Sequence, residues 1–173
     1  MAPEDQTARL RGRRVVASVS GGKDSAAMCL RLQELGIEHD RIFMDTGWEH
    51  AATYEYLRGP LTRKLGPIHE IRAVIALSEE ERCRVEKVTA DLPLVYSEYL
   101  KGSPMLVLAL KKGMFPAGQA RWCTEYLKEE PAKRFLEPQI ERGIEIVNAV
   151  GIRAAESQAR STYEEWAELT LGA

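Results

Sequence analysis

Val15-Val16-Ala17-Ser18-Val19-Ser20-Gly21-Gly22-Lys23-Asp24-Ser25 decides the fold of this chain. Val15 to Val19 is a valine-rich run suited to a strand covered on both faces. Gly21 and Gly22 allow backbone angles that other residues avoid, and they let another group come close to the main chain. Ser20 and Asp24 are helix-capping residue types, so a helix is expected over Ser25-Ala26-Ala27-Met28-Cys29-Leu30. Unpaired N–H groups and the positive end of the dipole bind anions at such a helix start. Lys23 adds a mobile positive charge. The expected ligand is a phosphate or pyrophosphate, held by Ser20, Gly21, Gly22, Lys23, Asp24 and Ser25, with Ser18 at the end of the strand.

The stretch is not a Walker A loop. That motif needs a glycine where this chain has Ala17, and a Ser or Thr where it has Asp24. Further on, Gly36 is placed to end the first helix, and Arg41-Ile42-Phe43-Met44 reads as a second strand running into Asp45-Thr46-Gly47-Trp48. Strand, helix and strand at this spacing make a parallel, right-handed βαβ unit. Ligands bind along the carboxyl edge of such sheets, so Met44, Asp45 and Thr46 are expected to share the site of the glycine loop.

The chain has 173 residues, enough for one domain with a sizeable core. Hydrophobic content of 45% and charged content of 29% exclude a disordered chain. The net charge of −2 gives no argument for nucleic acid. Arg9, Arg11, Arg13 and Arg14 nevertheless form a basic arm over residues 1–14, ahead of a single α/β domain over 15–173. That arm is either a solvated segment or a contact for a polyanion. Cys29, Cys83 and Cys123 are widely spaced, which argues against a disulfide framework and against zinc. No apolar run reaches transmembrane length and the start has no apolar signal core, so a cytoplasmic protein is expected.

Later segments fit the same plan. Glu49 to Leu57 reads as a helix that Pro60 interrupts, with a second piece to Leu65. Ile68 to Ile71 reads as a third strand. Ser78 and Glu81 form a capping box for a helix that Pro93 ends. Ser103-Pro104 opens another helix. A loop then carries Arg121 and Lys128, and a helix begins at Pro131. Ile144 to Val150 reads as a core strand ending at Gly151, and a last helix carries Tyr163 and Trp166. Lys23, Arg121, Lys128, Arg153 and Arg160 thus collect at or near strand ends, which suits a ligand with several negative charges.

Ser20-Gly21-Gly22-Lys23-Asp24-Ser25, Met44-Asp45-Thr46-Gly47, Arg121-Trp122-Cys123-Thr124 with Leu127-Lys128, and Gly151-Ile152-Arg153-Ala154-Ala155-Glu156-Ser157 with Arg160 come in this order and span nearly the whole chain. Together they resemble the phosphoadenosine phosphosulfate reductase family. The first motif also resembles the PP-loop of the wider ATP pyrophosphatase superfamily. The resemblance implies a doubly wound, mostly parallel, three-layer α/β fold of the adenine nucleotide α-hydrolase (HUP-type, Rossmann-like) kind. It implies ATP or a related adenine sulfonucleotide as ligand, with Mg²⁺. Ser18 and Ser20 to Ser25 would hold phosphates, and Met44, Asp45, Thr46 and Gly151 would receive the nucleotide. Lys23, Arg121, Lys128 and Arg153 would be catalytic, and Arg160 would bind phosphate or sulfate. Glu156 would orient Arg153 or, with Asp24, hold magnesium.

The family includes sulfonucleotide reductases, the small subunit of ATP sulfurylase and proteins of DNA phosphorothioation. The intact Gly-Gly-Lys-Asp loop looks like the ATP-cleaving branch. No cysteine follows Cys123, whereas the reductases use one near the C-terminus. The chain also stops soon after Trp166, as a minimal or split member would. The expectation is therefore an enzyme that cleaves ATP between its α- and β-phosphates and adenylates an acceptor in sulfur metabolism or sulfur transfer. The alternatives are a sulfonucleotide reductase served by an external thiol and a nucleotide-binding subunit of a larger assembly. Either a partner subunit or a nucleic acid fits these readings, and a membrane does not. Cys123 reads as a small buried residue, as a thiolate activated by Arg121, or as an isolated cluster ligand that would need further cysteines.

Overall fold

A computed structural model describes residues 8–117, 120–152, 155 and 161–162. The described residues form a four-stranded sheet in the order β3-β2-β1-β4. The strands are β1 (Arg14–Ser18), β2 (His39–Asp45), β3 (His69–Arg72) and β4 (Ile146–Val150). β1 runs parallel to both neighbours, with Val15 opposite His39 on one side and Val147 on the other. Helices connect the strands, giving the doubly wound, Rossmann-like α/β class that the opening motif implies.

Two compact units divide the chain. One is built from Met1–Phe43, Glu55–His69 and Leu136–Ala173, the other from Met44–Tyr54 and Glu70–Phe135. In the first, Val15, Val16 and Ala17 are buried, as a central strand requires. Helix α1 (Lys23–Glu34) buries Ala26, Cys29 and Leu32. Burial raises the pKa of the Cys29 thiol, although the charge of Arg41 opposes it. Arg13 pairs with Glu145 at 2.9 Å and Arg14 with Asp40 at 2.7 Å. Part of the basic arm's charge is therefore met by carboxylates.

β4 departs from the expected core strand. Among the described residues it lies at one side of the sheet, its residues are half-buried or exposed, and Val150 is 50% exposed. Pro60 does not break its helix either. Helix α2 (Ala51–Tyr56) passes through a π-helical turn, Leu57–Leu61, into α3 (Thr62–Leu65). A proline ring clashes with the carbonyl four residues back in a regular helix, and a π turn opens the spacing at that point.

In the second unit, α4 (Glu79–Ala90) starts at the expected capping box: Ser78 Oγ accepts from the Glu81 amide at 3.2 Å, and Glu81 Oε2 accepts from the Ser78 amide at 2.8 Å. Pro93 is not simply an end. It caps a further helix, α5 (Leu94–Gly102), which the sequence reading did not foresee. Ser103 caps α6 (Pro104–Lys112), which ends at Gly113 in the left-handed region. The segment carrying Lys128 is helical rather than a loop. A short turn of helix, α7 (Trp122–Thr124), leads through a π-helical turn, Glu125–Glu129, into α8 (Glu130–Ile140). The helix is thus under way before Pro131, and this π turn lies ahead of the proline, whereas Pro60 sits inside its own. Ala73, Met105, Leu108, Ala109, Trp122 and Leu127 form the core of this unit. Among the described residues no helix is long and apolar enough to cross a membrane.

Candidate functional site

The glycine loop lies in the first unit, between β1 and α1. Gly21 has φ +77°, a left-handed conformation suited to glycine. The helix starts at Lys23, with Gly22, which has no side chain to cap it, as its extended cap residue. The cap position thus falls on Gly22 rather than on Ser20 or Asp24 as the sequence suggested. The serines instead staple the loop. Ser25 Oγ donates to the Gly22 carbonyl at 3.0 Å and accepts from the Ser20 amide at 3.2 Å. Its proton is thus committed, so in the 3.2 Å contact between the two hydroxyls Ser20 donates. Lys23 is exposed and makes no ion pair among the described residues. A fixed glycine turn, a helix start and a mobile cation suit an anion. Asp24, half-buried in the first turn, is the loop's one carboxylate.

Two neighbours of the loop serve its framework. The Ser18 hydroxyl donates to Asn148 Oδ1 at 3.1 Å, tying β1 to β4. A Cβ on Gly151 would come within 2.8 Å of the Asp24 carbonyl and of Ser25 Cα. Glycine there lets the exit of β4 pass against the first turn of α1. Gly151 is thus brought to the loop, and close packing accounts for the missing side chain.

The Met44-Asp45-Thr46-Gly47 segment belongs to the second unit. Asp45 ends β2 and is buried. Its Oδ1 accepts from the Gly47 amide at 2.8 Å and the Tyr54 hydroxyl at 2.6 Å. Its Oδ2 accepts from Arg72 Nε at 2.9 Å and from Arg72 Nη2. Burial pushes the Asp45 carboxyl upward, but the hydrogen bonds from Tyr54, Gly47 and Arg72 outweigh it and hold the group below its ordinary value. Burial and the same carboxylate push Tyr54 up to about 12. Thr46 is also occupied internally: its hydroxyl donates to Glu49 at 2.9 Å, and its carbonyl accepts from the Met105 amide at 3.0 Å. Gly47 has φ +68°, and a Cβ there would lie 2.7 Å from Pro104 Cδ. Sequence reasoning chose Asp45 for a ligand; the structure spends its carboxylate on the turn, through Tyr54 and Arg72. Neither partner was foreseen. The signal for Tyr54 was a tyrosine on the helix following the motif, and for Arg72 an arginine closing the next strand.

Arg121 is the exposed cap residue of α7, and Lys128 is exposed in the π-helical turn. Neither makes an ion pair among the described residues. Cys123 is half-buried against the core of the second unit, as a small apolar side chain would be. Among the described residues no group of three His, Cys, Asp or Glu side chains could hold a metal ion. Arg153, Glu156 and Arg160 lie outside the described residues, as do Tyr163 and Trp166.

Comparison with known proteins bears on this arrangement. Residues 14–168 match the phosphoadenosine phosphosulfate reductase domain. An uncharacterised 37.8 kDa protein of Escherichia phage 186 is 33% identical, over 88% of this chain and 51% of its own length. An uncharacterised protein of Methanocaldococcus jannaschii is 32% identical, over 86% of this chain and 24% of its own. The chain thus spans about half the length of the first relative and about a quarter of the second.

Proposed function

Because the chain belongs to the phosphoadenosine phosphosulfate reductase family, whose members bind adenine nucleotides, we propose that it is an ATP-cleaving adenylyltransferase. The observation that carries this reading is the start of α1, where the turn of Gly21 and Gly22 leads straight into the first helical turn with Lys23 exposed upon it. An acceptor oxygen attacks the α-phosphorus, the bond to the bridging oxygen breaks, and pyrophosphate leaves with the negative charge. Lys23 and the loop amides stabilise that charge, which is electrostatic catalysis. Arg121 and Lys128 keep the catalytic roles the family resemblance implies. Arg153, Arg160 and Glu156 keep the roles the family resemblance implies.

Magnesium fits the loop in a limited way. One carboxylate, that of Asp24, together with phosphate oxygens of the substrate is the usual way to hold this ion. Magnesium would neutralise phosphate charge there. The acceptor is assigned to sulfur metabolism or sulfur transfer: sulfate, or an atom of a nucleic acid or metabolite.

Pyrophosphate release from ATP, screened against sulfate, tRNA, DNA and small metabolites with product masses read out, tests the proposal. Acceptor-dependent pyrophosphate and an adenylated product are expected, both lost in Lys23→Ala. Thioredoxin-dependent sulfite release from phosphoadenosine phosphosulfate would instead establish the reductase reading. ATP binding without turnover on any acceptor would establish a nucleotide-binding subunit.

A further inference from the structure

Helix α5 turns its apolar side chains outward. Ser97 is its one buried residue, while Leu94, Val95, Tyr96 and Tyr99 are 73%, 67%, 62% and 53% exposed. A surface helix normally does the reverse, burying its apolar stripe. Leu92, just ahead of the helix, and Val88, on the adjoining α4, are exposed as well. Grouped exposed apolar residues of this size mark an interaction surface.

We propose that this face joins two copies of the chain, with α5 packed antiparallel on its twin across a twofold axis. Val95, Tyr96 and Tyr99 lie on one helix face by their spacing, and Leu92 stands in the turn just ahead of it. A dyad between Val95 and Tyr96 sets Val95 over the partner's Tyr96 and brings the turn that carries Leu92 towards the partner's Tyr99. The charges at the two ends select the same arrangement. Asp91 precedes the helix, Lys101 lies in its last turn, and both are exposed. Antiparallel pairing brings Asp91 towards the partner's Lys101 at both ends, whereas parallel pairing sets like charges together. Antiparallel helix dipoles favour the same choice. Glu98 falls opposite the partner's Pro93, so no like-charged pair forms.

The area is sufficient for such an interface. Val88, Leu92, Val95, Tyr96 and Tyr99 together present on the order of 500 Å² per protomer, and twice that is about the lower limit for a specific interface. An isologous contact of this type closes on itself and gives a dimer rather than a filament. None of these residues belongs to the proposed nucleotide site.

Sedimentation equilibrium of the whole chain over a wide concentration range tests the proposal. A reversible monomer–dimer equilibrium is expected. Tyr96→Glu, shown to be folded by circular dichroism, weakens it at least about tenfold. Asp91→Lys and Lys101→Asp each weaken it roughly threefold, and the double variant restores it. A wild-type monomer at every concentration overturns the proposal, as does a dimer unaffected by Tyr96→Glu. A monomer that co-floats with phosphatidylcholine vesicles through this face also overturns it, in favour of a lipid surface.

Discussion

The Tyr54 hydroxyl donates to Asp45 Oδ1 at 2.6 Å, joining a helix residue to the carboxylate that ends β2. Gly47 and Arg72 take the remaining acceptor positions of that carboxylate. The turn after the strand is thus organised around one buried charge with four donors. A buried charge is tolerable when paired and hydrogen-bonded to this extent.

The pair gives stability a definite pH dependence. Tyr54 titrates at about 12 in the folded protein, against 10.0 for the free phenol. Its raised pKa means that its contribution is fully present below pH 10 and is lost as pH rises through the window to about 12. Asp45 is lowered, so its contribution is present above the ordinary carboxyl range and is lost as pH falls through its folded pKa. Tyr54→Phe should cost about 1 kcal/mol near neutrality, at the low end for a bond to a charge because the phenol is only half-buried. Urea denaturation of both proteins across the pH range checks this. The two curves should converge as pH climbs above 10, and a constant gap there would exclude the bond as the source.

Gly47 and Gly113 allow a controlled comparison. Both have nearly the same left-handed φ, +68° and +69°. A Cβ on Gly113 meets nothing within 4 Å, whereas one on Gly47 would lie 2.7 Å from Pro104 Cδ and 2.9 Å from Ser103 Cα. Gly113→Ala should cost about 1 kcal/mol, from conformation alone. Gly47→Ala adds overpacking against the start of α6, so about 3 kcal/mol or more is expected. Equal shifts of the two urea midpoints would show that the Ser103-Pro104 contact yields freely.

Gly151→Ala separates packing from ligand contact. The added methyl would stand 2.8 Å from the backbone of Asp24 and from Ser25 Cα. Neither is a flexible side-chain end, so β4's exit or the first turn of α1 must move. A loss of about 1–3 kcal/mol is expected without any nucleotide present. Nucleotide affinity should fall as well, because the displaced turn carries the amides proposed to hold the anion. Weaker binding with an unchanged denaturation midpoint would instead place Gly151 in contact with the ligand.

Local chemistry was legible in the sequence, and distant partnership was not. The strand, glycine turn and helix at Val15 to Ser25 follow from residue types within a few positions of one another. So do the Ser78–Glu81 capping box and the Ser103-Pro104 helix start. Asp45 was recognisable as a strand-end carboxylate, but Arg72 lies 27 residues away, and nothing local announces that it will satisfy Oδ2. At Pro60 a π-helical turn, which has no compositional signature, carries the helix through the proline, and a second one at Glu125–Glu129 precedes the helix expected at Pro131. Helix α5 was missed for a different reason. Its apolar residues face outward and its buried residue is a serine, so its pattern reads opposite to an ordinary surface helix.

Ser25 and Lys23 stand two residues apart and should respond differently to removal. Ser25 is buried, and its hydroxyl serves the Gly22 carbonyl, the Ser20 amide and the Ser20 hydroxyl. Ser25→Ala leaves the Ser20 amide without its acceptor and the Gly22 carbonyl with the Ala26 amide alone, and it unpins the loop. A cost of about 1–3 kcal/mol to the unliganded protein is expected. Lys23 is exposed, with no ion pair among the described residues, so Lys23→Ala should leave the unliganded midpoint within about 0.5 kcal/mol. Both variants should weaken ATP binding by calorimetry, Lys23→Ala through lost charge and Ser25→Ala through a loop no longer held in shape. Raising salt separates the causes. The Lys23 deficit should shrink as screening weakens the wild-type interaction, while the Ser25 deficit persists. If Ser25→Ala bound ATP as tightly as the wild type, the serine staple would not be what keeps the loop ready for its anion.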